Sequence, residues 1–465
     1  MSIKFPILYS ILSLAMISLI GCSTINDSNY AQLASQSSER IENILLNDLI
    51  KPFDQQGLVE TSSLLLTDLV DVPELNEFVE KALVSNPSLQ QSVVSLNLAY
   101  AQHGITSADR LPSVDASFSG QVEENANDAY TTEVSVSWEL DLWQQLADTN
   151  NAALKDIASS QANLRGAQDL VVANIMRSWL DISLKQQLVE IETQRLTILE
   201  NNETLVLERY RSGLGSLEEL DNAKTSSAST RATLADYHEQ LVQSKRSLVL
   251  LTGQWANSDS LPEVSSQFPS VLNPINIMPE QNLAGRPDLQ SAFYNIEAES
   301  LRTEAAYKAL LPSISLSASL SDMAESPSEA LLTGPLWSVL GQISAPLFQG
   351  GKLKAQAELA ELTTEQSYWI YQDTLLTAVN EVENAMGQEY SLELQQKHLD
   401  DALESAQRSF FSYEQKYRQG LVDIFDLLTV QQQTYDLEAQ LVQAIYNRLV
   451  NRIDLGLALG LGVSA

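Results

Sequence analysis

The chain has 465 residues, 60 acidic against 27 basic side chains, a formal net charge of -33 and one cysteine. That balance leaves no basic surface for a phosphate backbone, so nucleic acid is excluded as a partner. A lone cysteine excludes an internal disulfide framework and a cysteine-ligated metal cluster, and 44% hydrophobic residues exclude wholesale disorder.

At the start of the chain, Lys4 precedes an apolar run from Phe5 to Ile20, followed by small Gly21 and then Cys22. The run is short for a spanning helix, which needs roughly 20 apolar residues. Residues 1–21 therefore read as a signal peptide. Leu19-Ile20-Gly21-Cys22 resembles the lipobox of bacterial lipoproteins. That resemblance implies a lipid anchor at Cys22, carrying diacylglycerol and an N-acyl chain, and no other cofactor is expected. Ser23 rather than Asp follows the cysteine, as in lipoproteins sorted to the outer membrane. Residues 22–70, rich in Ser, Asn, Gln and Asp, read as a lipid-anchored N-terminal linker lying against something.

The rest of the chain repeats itself. Asn86-Pro87-Ser88-Leu89 is echoed by Arg286-Pro287-Asp288-Leu289, and Leu111-Pro112-Ser113-Val114 by Leu311-Pro312-Ser313-Ile314, at an offset of 287 − 87 = 200. Leu142-Trp143-Gln144 pairs with Leu347-Phe348-Gln349 at 205, and Tyr210-Arg211-Ser212-Gly213-Leu214 with Tyr417-Arg418-Gln419-Gly420-Leu421 at 207. The expected organisation is a first structural repeat over 71–260 with a hairpin at about 111–142, a connector over 261–284, and a second repeat over 285–465 with a hairpin at about 311–347.

Each half reads helix, two strands, long helix, turn, helix. Pro87 and Pro287 suit a first helical turn, where a missing N–H costs nothing. Beyond Pro112 the period changes to two: Val114, Ala116 and Phe118 alternate with Asp115, Ser117 and Ser119, and Val134, Val136 and Trp138 with Ser135, Ser137 and Glu139. Ile314, Leu316, Ala318 and Leu320 alternate with serines, whereas the fourth strand, Trp337 to Leu347, is the least clean. From Trp143 to about Tyr210 there is no proline and one glycine, which predicts a helix of about 100 Å. Heptads through Ile175, Ile182, Val189 and Leu196, and through Leu184, Ile191, Ile198 and Leu205, predict two packing partners for it.

Four amphipathic strands of about ten residues match outer-membrane strands, but four cannot close, and open edges in lipid leave unpaired backbone groups. Two chains would pool eight strands, whose interior side chains just fill, whereas three pool twelve and leave a lumen. The expected fold is mainly α with a membrane β-barrel: a trimeric twelve-stranded barrel, with the long helices in a sheet-like or tubular array of coiled coils. The competing structural reading is a lipid-anchored periplasmic coiled-coil protein without a channel, which has no use for bilayer-length strands with serine on one face.

This pattern resembles the TolC-like outer-membrane factor family, in its lipid-anchored branch. The resemblance covers roughly residues 70 to 462 and rests on the duplication, Gly285-Arg286-Pro287-Asp288-Leu289, Pro346-Leu347-Phe348-Gln349-Gly350-Gly351 and the paired Tyr-Arg-x-Gly-Leu turns. It implies a homotrimer in outer-membrane lipid, its barrel continued by an α-helical coiled-coil barrel as a tunnel through the periplasm, with a periplasmic adaptor and an inner-membrane pump, most simply proton-driven, as partners. The implied function is a passive exit duct of a tripartite efflux system; the duct of a type I protein secretion system shares the architecture.

Gly213 and Gly420 follow long helices, the place for a left-handed residue, and Ser216 with Glu219, and Asp423 with Asp426, have capping-box spacing. The resemblance makes this end the closed periplasmic entrance, with Asp426 at a constriction position and Asp423, Glu218, Glu219, Asp221 and Tyr417 beside it. It also implies that Gly213, Leu214, Gly215 and Ser216, with Gly420, Leu421 and Val422, meet the adaptor. Val422 and Thr429 stand where some relatives carry an arginine and an aspartate. Catalytic and metal-ligating residues are not expected: His103, His238 and His398 are scattered, and no metal motif is present.

Overall fold

A computed structural model of the chain describes residues 29–44, 65–70, 72–124, 127–255, 262–269 and 283–463. The signal peptide and Cys22 lie outside the described residues. Three helices come first, α1 (Tyr30–Ile44), α2 (Pro73–Ser85) and α3 (Pro87–Ala108). Strands β1 (Ser113–Gln121) and β2 (Ala129–Glu139) follow, then the long α4 (Gln145–Arg211) and the return helix α5 (Leu217–Leu251). The second half runs α6 (Pro287–Lys308), β3 (Ser313–Ala324), β4 (Leu336–Ser344), α7 (Lys352–Arg418) and α8 (Ile424–Ala458).

Helix α1 lies inside residues 22–70, the stretch expected to be a linker lying against something. Its Ala34 is fully buried with Leu289 and Leu375, and Tyr30 sits 5.4 Å from the Tyr368 ring. A short apolar stripe on an otherwise polar helix is enough to dock it on α6 and α7.

The four strands form one antiparallel sheet in the order β1-β2-β3-β4. Its register decides the faces. Val114, Val136, Ala318 and Val339 make one row across all four strands, and Ala116, Val134, Leu320 and Trp337 another. The opposite face carries the row Asp115, Ser135, Ser319 and Ser338. Within the serine rows β4 places Leu340 beside Ser317 and Leu336 beside Ser321, which is why that strand alternates poorly in sequence.

The register also corrects the internal alignment. Ser113 faces Ser137 and Ser313 faces Ser344, so β2 and β4 are related by 344 − 137 = 207, already the offset of the helical turns. Gln144 and Gly351, the left-handed residues that start α4 and α7, keep it too. Gln144 therefore corresponds to Gly351, not to Gln349. The seven extra residues all fall between the strands of the second hairpin, where a longer loop costs little.

The long helix α4 packs on α3 and α5 of its own repeat and on α6 and α8 of the other, which is the double seam its heptads called for. Ile175, Ile182, Leu184 and Ile191 are buried, while Leu205 near the tip is half exposed. Where a return helix meets a short helix, a side chain splices them. Asn86 Nδ2 donates to the Leu251 carbonyl at 2.8 Å, while its Oδ1 accepts from the Ser88 and Leu89 N–H groups. Arg286 Nη1 donates to the Ala458 carbonyl at 2.9 Å, and the same guanidinium holds Asp288 and Glu381, each at 2.8 Å. Burial alone would raise the Asp288 pKa, but the hydrogen bond and charge of Arg286 outweigh it and hold the carboxyl below its usual range.

Candidate functional site

Two places carry the function-bearing residues: the sheet at one end and the paired helical turns at the other. The sheet has two edges, β1 and β4, every residue of which is exposed. On its apolar face Val114, Phe118, Val339 and Ile343 are more than half exposed. An uncovered apolar face with unpaired edges is a poor arrangement in water and an impossible one for a lone sheet in lipid. Indoles stand at both ends of that face: Trp138, donating to the Arg110 carbonyl at 3.1 Å, near the helices, and Trp337 toward the hairpin tips. Aromatic residues in that position form the girdles of membrane barrels. Strands of 9 to 12 residues are long enough to cross a bilayer when tilted. The serine face is tied across strands by Ser113 to Ser137 at 2.8 Å and Ser319 to Ser338 at 2.9 Å. Among the described residues no helix is long and apolar enough to cross a membrane.

At the far end both turns are built alike. Gly213 has φ +71° and Gly420 φ +73°. Leu214 N–H donates to the Arg209 carbonyl and Leu421 N–H to the Lys416 carbonyl, while each glycine N–H reaches back to Tyr210 or Tyr417. This is the Schellman closure of a helix end. The return helices are then capped. Ser216 Oγ accepts from Glu219 N–H at 3.1 Å, with Glu219 Oε2 accepting from Ser216 N–H at 3.3 Å. Asp423 Oδ1 accepts from Asp426 N–H at 3.0 Å, without the reciprocal bond. Glu219 and Asp423 are thus partly engaged as caps, while Glu218, Asp221 and Asp426 are exposed and their carboxylates bond no other side chain among the described residues.

The two turns come together. Val206, Leu220, Ala223, Ile424 and Leu427 form a single apolar cluster with Tyr417 packed against it. An open cleft lined by Arg209, Glu219, Tyr417, Asp423 and Asp426 lies beside it. The expected gate residues from the two halves therefore share one end of the molecule. Gly213, Leu214, Ser216, Gly420 and Leu421 are exposed there, and Gly215 and Val422 are half-buried. Sequence reasoning missed the cations. Arg209 Nη1 donates to the Tyr417 hydroxyl at 3.5 Å and Nη2 to the Leu214 carbonyl at 3.4 Å, joining the ends of the two long helices. Arg211, Lys416 and Arg418 fill the same last turns. Bases in a last helical turn complement the helix dipole, a signal available in the sequence. The tip is therefore mixed in charge rather than purely acidic. Among the described residues no cluster of three potential metal ligands occurs.

Comparison with known proteins agrees with this geometry. The family model described as Outer membrane efflux protein matches residues 78–254 and 278–461. The chain is 26% identical to the probable outer membrane lipoprotein SilC of Salmonella typhimurium over 404 residues, covering 84% of this chain and 86% of that protein. It is 27% identical to the cation efflux system protein CusC of Escherichia coli K12 over 404 residues, covering 84% and 87%. Among solved structures, the CmeC outer membrane channel of Campylobacter jejuni superposes with a TM-score of 0.79 at 20% identity, over 88% of this chain and 91% of that one. A CusC crystal structure gives 0.74 at 25% identity, over 87% and 95%.

Proposed function

The chain belongs to the outer membrane efflux protein family, and from that premise we propose that three copies build one passive exit duct for drugs or other small solutes. A proton-driven inner-membrane pump supplies the energy through a periplasmic adaptor. This chain supplies the hydrated path and its gate; no bond is made or broken.

The observation that carries the proposal is the open sheet with its uncovered apolar face. Within one chain, repeat one meets repeat two through β2 with β3, α4 with α6, and α4 with α8. The duplication lets the same contacts recur between copies, so that β4 meets β1, and α7 meets α3 and α5, of the next copy. The surfaces needed are free: Trp369, Ile370 and Leu376 on α7, and Val94, Leu98 and Ile105 on α3, are exposed. Six repeats from three chains close the ring with twelve strands, the smaller closure that leaves a lumen. The serine face then lines water and the apolar face meets lipid, with acyl chains on Cys22 adding an anchor worth about 0.8 kcal/mol per buried CH2.

At the other end, threefold repetition sets Asp423 and Asp426 around a narrow mouth with Glu218, Glu219 and Asp221, and Arg209 and Tyr417 tie the long helices there. The turns at Gly213, Leu214, Gly215 and Ser216, and at Gly420, Leu421 and Val422, are the surface offered to the adaptor hairpin. The test is conductance in planar bilayers. Wild-type protein should give small, cation-favouring currents, and Asp423→Ala with Asp426→Ala should enlarge them and increase antibiotic leak. Electrically silent wild-type protein would refute the duct; an unchanged double variant would leave the aspartates as helix caps.

A further inference from the structure

The helical coil changes character midway to the tip. One apolar cluster is built on Leu184, Leu188, Ile191 and Val442, and the tip cluster on Val206, Leu220 and Leu427. Between them the buried positions of α4, α5 and α8 are held by Glu192, Asn202, Ser227, Thr230, Gln431 and Thr434, with Leu199 the one large apolar side chain among them. The pairs Arg177 with Asp454 and Arg195 with Asp436 fix the register of α4 against α8 and set Gln431 level with the turn that carries Asn202.

Gln431 is 1% exposed, and among the described residues neither its amide nitrogen nor its amide oxygen has a hydrogen-bond partner; Asn202 Nδ2 in the same layer, and one amide atom each of Gln186 and Gln187 higher on α4, are also unpaired, but Gln431 alone leaves both atoms so. Because Gln431 is already enclosed by its own chain, a neighbouring copy cannot reach it. A buried, unpaired amide costs stability that is recovered when water reaches it. The closed packing at this level is therefore penalised relative to any arrangement in which the helices part.

A second observation points the same way. Thr193, Thr197 and Thr204 in α4 each donate to the carbonyl four residues back, at 2.7 to 2.9 Å. Thr225, Ser226 and Ser227 in α5 do so at 2.7 to 3.1 Å, and Thr429 and Thr434 in α8 at 2.8 and 2.9 Å. Such back-bonds weaken and bend helices. Ser227 and Thr434 are equivalent residues of the two repeats, 434 − 227 = 207 apart.

We infer that this polar layer is the flexure of the coil, the level at which the tip bends outward and admits water while the helices above it stay packed. It deepens the gating function and rests on it. The experiment is amide hydrogen exchange on the full, detergent-solubilised protein, read on peptides covering 199–206 and 424–434, with efflux of a cationic dye from cells as the second readout. Gln431→Leu fills the site with an apolar side chain and should slow exchange in both peptides about tenfold and reduce efflux. Thr434→Val, which removes one back-bond at constant shape, should shift both in the same direction by less. Unchanged or faster exchange in both variants would overturn the flexure. Slower exchange with wild-type efflux would also overturn it, leaving a soft layer with no part in gating. Exchange needs no transport, so its outcome stands apart from whether the protein conducts.

Discussion

Where a return helix abuts a short helix, the first repeat uses a neutral amide and the second a buried guanidinium. Asn86 and Arg286 occupy the same place, each donating to the last carbonyl of a return helix, Leu251 or Ala458. Only Arg286 also recruits carboxylates, one from its own helix start and one, Glu381, from α7. The following glycines differ as well. A Cβ on Gly253 would lie 2.2 Å from the Ser85 carbonyl oxygen, whereas one on Gly460 would lie 3.2 Å from the Arg286 Cγ. One backbone layout thus tolerates two chemistries, because what the fold needs at this point is a donor and a left-handed residue. The first splice is tight and neutral; the second is looser and electrostatic.

The sharpest way to break that contrast is at the glycines. Gly253→Ala combines a left-handed backbone, worth about 1–2 kcal/mol, with a clash against rigid backbone, and should cost about 3–5 kcal/mol in denaturant unfolding. Gly460→Ala has the same φ penalty and meets the Arg286 Cγ at 3.2 Å, a closeness that a shift of a few tenths of an ångström relieves, and should cost about 1–2 kcal/mol. Equal losses would show that the two splices are equally tight.

Next come the donors. Arg286→Met leaves two half-exposed carboxylates that can rehydrate and should cost about 2–3 kcal/mol, at or just below the roughly 3–5 kcal/mol typical of a broken, fully buried pair. Asn86→Ala removes an N-cap and one splice bond and should cost about 1–2 kcal/mol. The pH dependence separates them further. The folded pKa of Asp288 lies below its unfolded value, so its contribution is complete above about pH 4 and is lost as the pH falls through the folded pKa. The stability gap between wild type and Asp288→Asn should therefore close in acid, while the gap between wild type and Asn86→Ala stays constant.

The smallest effect is at the start of the long helices. Gln144 holds φ +64° where the second repeat has Gly351 at φ +86°. Gln144→Gly should stabilise the first repeat by roughly 0.5–1 kcal/mol, the relief of left-handed strain less the entropy of an added glycine. A loss of stability would mean that the glutamine side chain contributes to packing.

Much of this architecture was legible because the chain states it twice. Alternation and proline placement marked both hairpins, and a long proline-free stretch in each half marked α4 and α7, since those signals are local and repeated. The offset between the second strands was misjudged by two residues because Leu142-Trp143-Gln144 and Leu347-Phe348-Gln349 look alike, and only hydrogen-bond register could override the likeness. Leu336 and Leu340 obscured β4 because they sit in the serine rows. The helical form of α1 is hard to see in the sequence because its buried stripe is short. At the tip, the glycines and caps could be placed from spacing, but Arg209 could not be joined to Tyr417 without tertiary structure. The polar layer escaped notice for the same reason: Asn202 and Gln431 are ordinary helix residues until the register brings them level.

The chain belongs to the outer membrane efflux protein family, and the proposal that other copies complete its sheet is tested directly by cross-strand cysteines. Inside one chain Ser137 of β2 faces Ser317 of β3, and the internal equivalents of these residues are Ser344 and Ser117. Directly opposite residues of adjacent antiparallel strands have Cα atoms about 4.5–5.5 Å apart, within the roughly 4.4–6.8 Å that a disulfide spans. Protein carrying Ser117→Cys with Ser344→Cys should run as a covalent trimer on non-reducing gels after oxidation and as a monomer after reduction, with either single variant remaining monomeric. Absence of any covalent oligomer from a folded, membrane-inserted double variant would contradict the shared barrel.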